Sequence, residues 1–278
     1  MRNKLAPEVL EREYNNRALV PEHGEIFARW QRDSEYVRKT LRGTLHVPYG
    51  PDERHRIDLF PAAGARGTLV FIHGGYWRSL DKGMFSWLAA PWVAAGLNVA
   101  MPNYRLAPGV RIEDIVSDAL AAVNWLFRAG PAHGIAVERV VLSGHSAGGH
   151  LVAAVMAAAR EAMEFDPARI AGGVPISGIF DFEPLLLHSF NADFGLDEAQ
   201  VRRLNLFDKK PTLRAPLVVA AGALESSEFR RQSRCLADAW STQVKALQLL
   251  PGLNHFTVLD AFAERGQPLF DATLSLVG

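Results

Sequence analysis

The segment Val140-Val-Leu-Ser-Gly-His-Ser-Ala-Gly-Gly149 decides how the rest of the sequence reads. An apolar run, a cluster of small residues around one serine and an alanine-rich continuation describe a buried strand that turns sharply into a helix. Within it, Gly144-His-Ser-Ala-Gly148 matches G-x-S-x-G in the strand–turn–helix context that gives the pattern its meaning. The chemistry explains the spacing. A serine exposed on so tight a turn needs small neighbours for close backbone approach, and the helix behind it favours developing negative charge. Ser146 is therefore the candidate nucleophile, and the N–H of Ala147 a candidate oxyanion donor.

Outward from this segment the pattern alternates. Apolar runs at 67–72, 97–101 and 217–221 read as further buried strands, with weaker candidates at 170–176 and 247–250. Helical periodicity separates them at 86–95, 112–129, 147–162 and 228–240. This alternation predicts an α/β fold, a mostly parallel central sheet with helices on both faces. Residues 44–48 and 56–60, split by a Pro-Asp turn, predict an antiparallel start. Residues 1–42 form an N-terminal helical extension, with Ile26, Phe27, Trp30, Tyr36 and Val37 as its expected buried stripe. Residues 178–212 are too long for an ordinary connection and predict a small lid.

Two more loops carry chemistry. Leu69-Val-Phe-Ile-His-Gly-Gly-Tyr-Trp77 places His73-Gly74-Gly75 directly after a strand, where the backbone of Gly74 and Gly75 can supply oxyanion N–H groups. Sites built on such an elbow follow the chain order serine, acid, histidine. Of nine histidines, His255 in Leu250-Pro-Gly-Leu-Asn-His-Phe256 fits the base, whereas His150 lies on the helix behind the serine and His188 in the lid. Glu225, in the loop after residues 217–221, is the leading acid; Glu228 and Asp181 remain as alternatives. Tyr76, Trp77, Tyr104 and Phe256 stand near these loops and could line an aryl pocket or pack the strand ends. Asp114, Asp118, Arg230 and Arg231 read as solvated helix faces.

Composition narrows the class. The 278 residues carry 30 Lys+Arg against 30 Asp+Glu, so the net charge offers no electrostatic footprint for nucleic acid or an anionic membrane, and polyanion binding is not the expected main role. A single cysteine, Cys235, excludes an internal disulfide and multi-cysteine metal sites. No secretory signal is visible, and the longest apolar runs reach only about half of the ~20 residues of a membrane span. The expectation is a cytoplasmic, cofactor-free protein with no metal, no nucleic acid and no membrane among its partners; a homodimer is left open. The loop at 73–77 and His255 would share one site, so residues 1–278 are expected to form one domain rather than two.

His73-Gly-Gly-Tyr-Trp77, Gly144-His-Ser-Ala-Gly-Gly149, Glu225-Ser-Ser-Glu-Phe229 and Asn254-His255 together resemble the kynurenine formamidase (arylformamidase) branch of the α/β-hydrolases, close to the carboxylesterases related to hormone-sensitive lipase. Tyr14-Asn-Asn-Arg17 and Val20-Pro21 also resemble the N-terminal segment of that family. The resemblance implies Ser146 as nucleophile, Glu225 as acid, His255 as base and Gly74, Gly75 and Ala147 around the oxyanion. The family usually has Asp where this chain has Glu225, although glutamate serves this role in some related esterases. The implied substrate is an aryl formamide such as N-formylkynurenine. A short-chain carboxylic ester is the alternative, and a non-catalytic binding protein on the same scaffold is the competing class.

Overall fold

The computed structural model describes residues 5–278. Eight strands run in chain order as β1 (Thr44–Pro48), β2 (Arg56–Phe60), β3 (Gly67–Ile72), β4 (Leu97–Pro102), β5 (Val140–His145), β6 (Ile170–Ile176), β7 (Leu217–Gly222) and β8 (Val244–Leu250). The helices are α1 (Pro7–Tyr14), α2 (Asn16–Leu19), α3 (His23–Thr40), α4 (Ala89–Ala94), α5 (Ile112–Ala129), α6 (Ala147–Met156), α7 (Asn191–Phe194), α8 (Glu198–Leu204), α9 (Ser227–Ala239), α10 (Val258–Ala263) and α11 (Pro268–Ser275). The strands form one sheet in the order β1-β2-β4-β3-β5-β6-β7-β8. Pairing is antiparallel only at β1/β2 and β2/β4 and parallel from β4 to β8.

Side-chain alternation along the strands divides the core in two. Val70, Ile72, Leu142, Leu217 and Val219 meet α1, α5, α6 and α9 on one face. Leu69, Phe71, Val141, Val218 and Ala220 meet α3, α4, α10 and α11 on the other. Strands β3 to β7 are buried along almost their whole length, as expected for a sheet covered on both sides. No helix among the described residues is long and apolar enough to cross a membrane.

The expected elements recur, with the strand expected at 247–250 beginning already at Val244 and three larger differences. The helix expected at 86–95 begins as a 3-10 turn over Lys82–Leu88 and becomes α-helical only at α4. Pro91 has no N–H to reach the carbonyl four residues back, so an earlier α-helical start would lose that bond. Helix α6 stops at Met156 instead of 162, because the Met156 carbonyl accepts from Thr212 N at 2.9 Å and Leu213 N at 3.0 Å. In α3, Tyr36 is 68% exposed, and Ser34 takes its place in the stripe with Ile26, Trp30 and Val37. Tyr36 lies ten residues beyond Ile26, about 80° round the helix from that stripe.

Parallel register gathers the carboxyl ends of the central strands. Ile72 sits beside Gly144, His145 beside Ile176 and Gly222 beside Leu250. The loops that follow β3, β5, β7 and β8 therefore open on one edge, where open α/β sheets hold their ligands.

Candidate active site

Ser146 joins β5 to α6 with φ 56° and ψ −118°, a conformation that costs a non-glycine residue about 1–3 kcal/mol. The surroundings enforce it. Ser146 N donates to Ile176 O at 2.8 Å. A Cβ at Gly148 would lie 2.0 Å from the Ile72 carbonyl, and one at Gly144 2.4 Å from the Gly148 carbonyl. The glycines of G-x-S-x-G thus let α6 press directly on β3 and hold the serine at the sheet edge.

His255 lies in the loop between β8 and α10, and its Nδ1 donates to Glu225 Oε2 at 2.8 Å. Glu225 is fully enclosed. Its other oxygen accepts from Ser177 Oγ at 2.5 Å and from Gly222 N at 2.6 Å, so the carboxylate is fixed on both sides. The His255 backbone is pinned as well, since His145 Nε2 donates to its carbonyl at 2.7 Å. Burial, reinforced by the neighbouring His255, keeps the pKa of His145 well below the usual imidazole range. His145 is therefore a neutral donor. Phe229 packs on the His255 ring at 4.6 Å.

The other expected carboxylates go elsewhere. Glu228 accepts from Tyr14 Oη at 2.9 Å and from Arg231, and Asp181 pairs with Arg231 at 3.1 Å. Arg231 is thus part of a network that docks α1 on α9, not a solvated face. Asp118 is also buried, clasped by Arg105 at 2.6 Å and beside His55 at 3.1 Å.

The loop after β3 takes positive φ at three successive residues, Gly75 (120°), Tyr76 (51°) and Trp77 (54°). A Cβ at Gly75 would come within 2.2 Å of the Ser79 carbonyl, so glycine is required. The preceding His73 donates from Nδ1 to the Gly74 carbonyl at 2.7 Å and stacks on Tyr104 at 4.3 Å. Burial pushes its pKa down to about 4, so it too is neutral. Among the described residues, no backbone carbonyl accepts from the N–H of Gly75 or Ala147. The first N–H groups of a helix such as α6 have no intrahelical acceptor, which leaves Ala147 N available.

A cavity of about 460 Å³ opens on these loops. Gly74, Gly75, His145, Ser146 and His255 line it, with aromatic walls from Phe27, Trp30, Tyr76, Phe85, Phe190 and Phe256. Of the four aromatic residues singled out in the sequence, Tyr76 and Phe256 line the cavity. Trp77 and Tyr104 do not. Trp77 is completely buried against Phe182, His150 and Phe194, and the Tyr104 hydroxyl donates to the His73 carbonyl at 2.8 Å. Adjacent Tyr76 and Trp77 part company, the first ring lining the cavity and the second entering the core. His150 lies behind the elbow with its pKa pushed down to about 3 by burial.

Sequence reasoning passed over Asn15, Asn16, Arg17, Phe190, Arg78 and Asp193, all of which line the cavity. The Tyr14-Asn-Asn-Arg17 segment was the one visible signal. Of the rest, Phe190 and Asp193 come from the 178–212 segment and Arg78 from the loop after β3, none of them within a local chemical pattern.

Comparison with known proteins bears on the family and the fold. The model of the alpha/beta hydrolase fold matches residues 69–226. Kynurenine formamidase of Salmo salar is 27% identical over 257 residues, 88% of this chain and 85% of its own length. That of Drosophila melanogaster is 26% identical, covering 84% of this chain and 81% of its own. Among solved structures, a candidate thioesterase from Silicibacter sp. superposes with a TM-score of 0.83 at 33% identity, covering 96% of this chain and 98% of that one. Esterase B from Lactobacillus rhamnosis, with a TM-score of 0.68 at 19% identity over 95% of this chain and 94% of its own, shares the fold. On the match over residues 69–226, with the strand–serine–helix elbow at its centre, the chain belongs to the alpha/beta hydrolase fold family.

Proposed function

We propose that this hydrolase cleaves the formyl group from an aryl formamide, using Ser146, His255 and Glu225. The observation that carries the proposal is the 2.8 Å contact between His255 and a doubly anchored Glu225, with His255 and Ser146 on the wall of one aromatic cavity. Ser146 Oγ attacks the formamide carbon while His255 Nε2 takes its proton. Glu225 keeps the imidazole oriented through Nδ1–H and stabilises the imidazolium that forms. The oxyanion is met by the N–H groups of Ala147 and of Gly74 or Gly75, donors whose individual loss typically costs about 3–4 kcal/mol. His255 then returns the proton to the departing aryl amine, leaving a formyl-serine ester. Water, deprotonated by His255, attacks that ester, and formate leaves as Ser146 recovers its proton.

The substrate assignment rests on two supports. Kynurenine formamidases are among the relatives that match over most of the chain. The cavity is walled by six aromatic residues, which suits an aryl leaving group better than a flexible chain. A second reading has its own support in the Silicibacter candidate thioesterase at 33% identity: an ester or thioester substrate cleaved by the same residues. Purified protein assayed with N-formylkynurenine and with p-nitrophenyl butyrate separates the two. The proposal expects formate release from the first, lost in Ser146→Ala; turnover of the butyrate alone would replace the formamide with an ester.

A further inference from the structure

We infer that Asn16 and Arg17 form a carboxylate-reading wall of the cavity, so that the enzyme selects aryl substrates whose leaving group bears a carboxylate. The inference rests on the cavity being the acyl-transfer site and goes further by naming what its second wall recognises. This wall comes from the junction of α1 and α2, far in sequence from the elbow. Asn15 and Asn16 are adjacent but differently employed. Asn15 spends its side-chain oxygen on the N–H of Ala18 at 3.2 Å, holding the turn. Asn16 is 5% exposed, lines the cavity, and its Nδ2 has no hydrogen-bond partner among the described residues. A buried donor left unpaired in a cavity wall calls for an acceptor, and the bound ligand supplies it.

Arg17 gives the acceptor its sign. Its guanidinium stands 5.6 Å from the Phe27 ring at the cavity wall and has no ion-pair partner among the described residues. The remaining charged residues of the lining, Arg78 and Asp193, neutralise each other, and Arg78 also covers the Phe190 ring at 4.0 Å. Two arginines against one aspartate leave the lining with one net positive charge. One guanidinium and one amide NH2, both donors only at the contact, match a carboxylate. A phosphate dianion would keep a second charge uncompensated. The aromatic walls of the same cavity fit an aryl ring with an acidic side arm.

Two matched pairs of substrates test this: formanilide with 3-(2-formamidophenyl)propanoate, and phenyl acetate with 3-(3-acetoxyphenyl)propanoate. In whichever series is hydrolysed, kcat/KM of the intact enzyme should favour the acid over its neutral partner by about tenfold. Arg17→Gln should cut that preference at least about fivefold, chiefly through KM of the acid, and Arg17→Lys should restore part of it. Raising salt from about 0.05 to about 0.5 M should shrink the preference in the intact enzyme and leave the Arg17→Gln ratio almost flat. A preference near one, or one that Arg17→Gln leaves intact, overturns the inference. Acid preference in the acetate series with no formamide turnover upholds it while overturning the formamide assignment. Formamide turnover without acid preference does the reverse, and no turnover in either series overturns both.

Discussion

Glu225 has three hydrogen-bonding partners, and each comes from a different segment: Ser177 after β6, Gly222 at the end of β7 and His255 after β8. A carboxylate held this way presents its charge to the imidazole without having to reorganise. Glu225→Gln keeps the shape but removes that charge and favours the wrong tautomer, so kcat should fall by a factor of roughly 10³–10⁴. Ser177→Ala removes one charged hydrogen bond, worth about 1.5–3 kcal/mol, and should lower kcat by roughly tenfold or more with KM little changed. Asp181→Asn loosens only Arg231, and steady-state kinetics should find kcat within about threefold of the parent. Near-parent kcat in Glu225→Gln with a large loss in Asp181→Asn would move the acid to Asp181. In the sequence Glu225 led Glu228 and Asp181 only by its place in the loop after residues 217–221, since all three lie in or near loops after central strands. What distinguishes Glu225 is Ser177, a partner 48 residues away with no motif of its own. Ser146 and His255 were legible because their chemistry is written locally, in a glycine-flanked turn and a loop at the expected place in the chain order.

At the scale of elements, the N-terminal segment is built into the site's surroundings. Glu11 on α1 accepts from Ser189 N at 2.5 Å and Ser189 Oγ at 2.8 Å and faces His188 at 3.4 Å. Glu13 accepts from Ser227 Oγ at 2.6 Å on α9, and the Tyr76 hydroxyl donates to the Tyr14 carbonyl. One helix thus ties the 178–212 segment, α9 and the loop after β3 together. Desolvation works against ionised Glu11 and Glu13, but hydrogen bonds from Ser189, and from Ser227 and Glu228 N, outweigh it and hold both below the usual carboxylate range. Burial lowers His188, against the opposing pull of Glu11. All three shifts have the same sign in stability. Each group binds protons more tightly when released, so its contribution is complete above the released value and lost as pH falls. Loosening should begin below about pH 6.5 through His188 and deepen below about pH 4.3 through the two glutamates. Hydrogen exchange at pH 7.5 and pH 4.5 should show residues 7–19 and 185–195 losing protection before β3 to β7. Uniform loss across the sheet would contradict this. None of these ties was readable beforehand, because neither the expected apolar stripe at 26–37 nor the Tyr14–Arg17 resemblance names a partner for Glu11 or Glu13. Trp77 and Tyr104 failed for a related reason: aromatic identity near a strand end does not reveal whether backbone φ turns the ring toward the cavity or the core.

The whole molecule was legible as an alternation of apolar runs and helical periods, because parallel strands covered on both faces leave nearly continuous apolar segments. Its polar joints were not. Asp58 on β2 is wholly buried and takes Lys82 Nζ at 3.0 Å and Arg38 at 2.5 Å, fastening α3 and the 3-10 turn to the antiparallel edge of the sheet. Lys82 is itself 1% exposed, so Asp58→Ala would strand its charge. The expected cost is about 3–5 kcal/mol, a fall of roughly 10 °C in the melting midpoint, measurable by calorimetry. A shift of only about 1 °C would mean that Lys82 escapes to water.

The central claim is that Ser146 is an activated nucleophile served by His255, and active-site labelling tests it most directly. Incubated with a fluorophosphonate and measured by intact-mass and peptide mass spectrometry, the protein should gain one stoichiometric adduct on Ser146, absent in Ser146→Ala and formed far more slowly in His255→Gln. No adduct, or one on another serine that survives Ser146→Ala, would contradict the account.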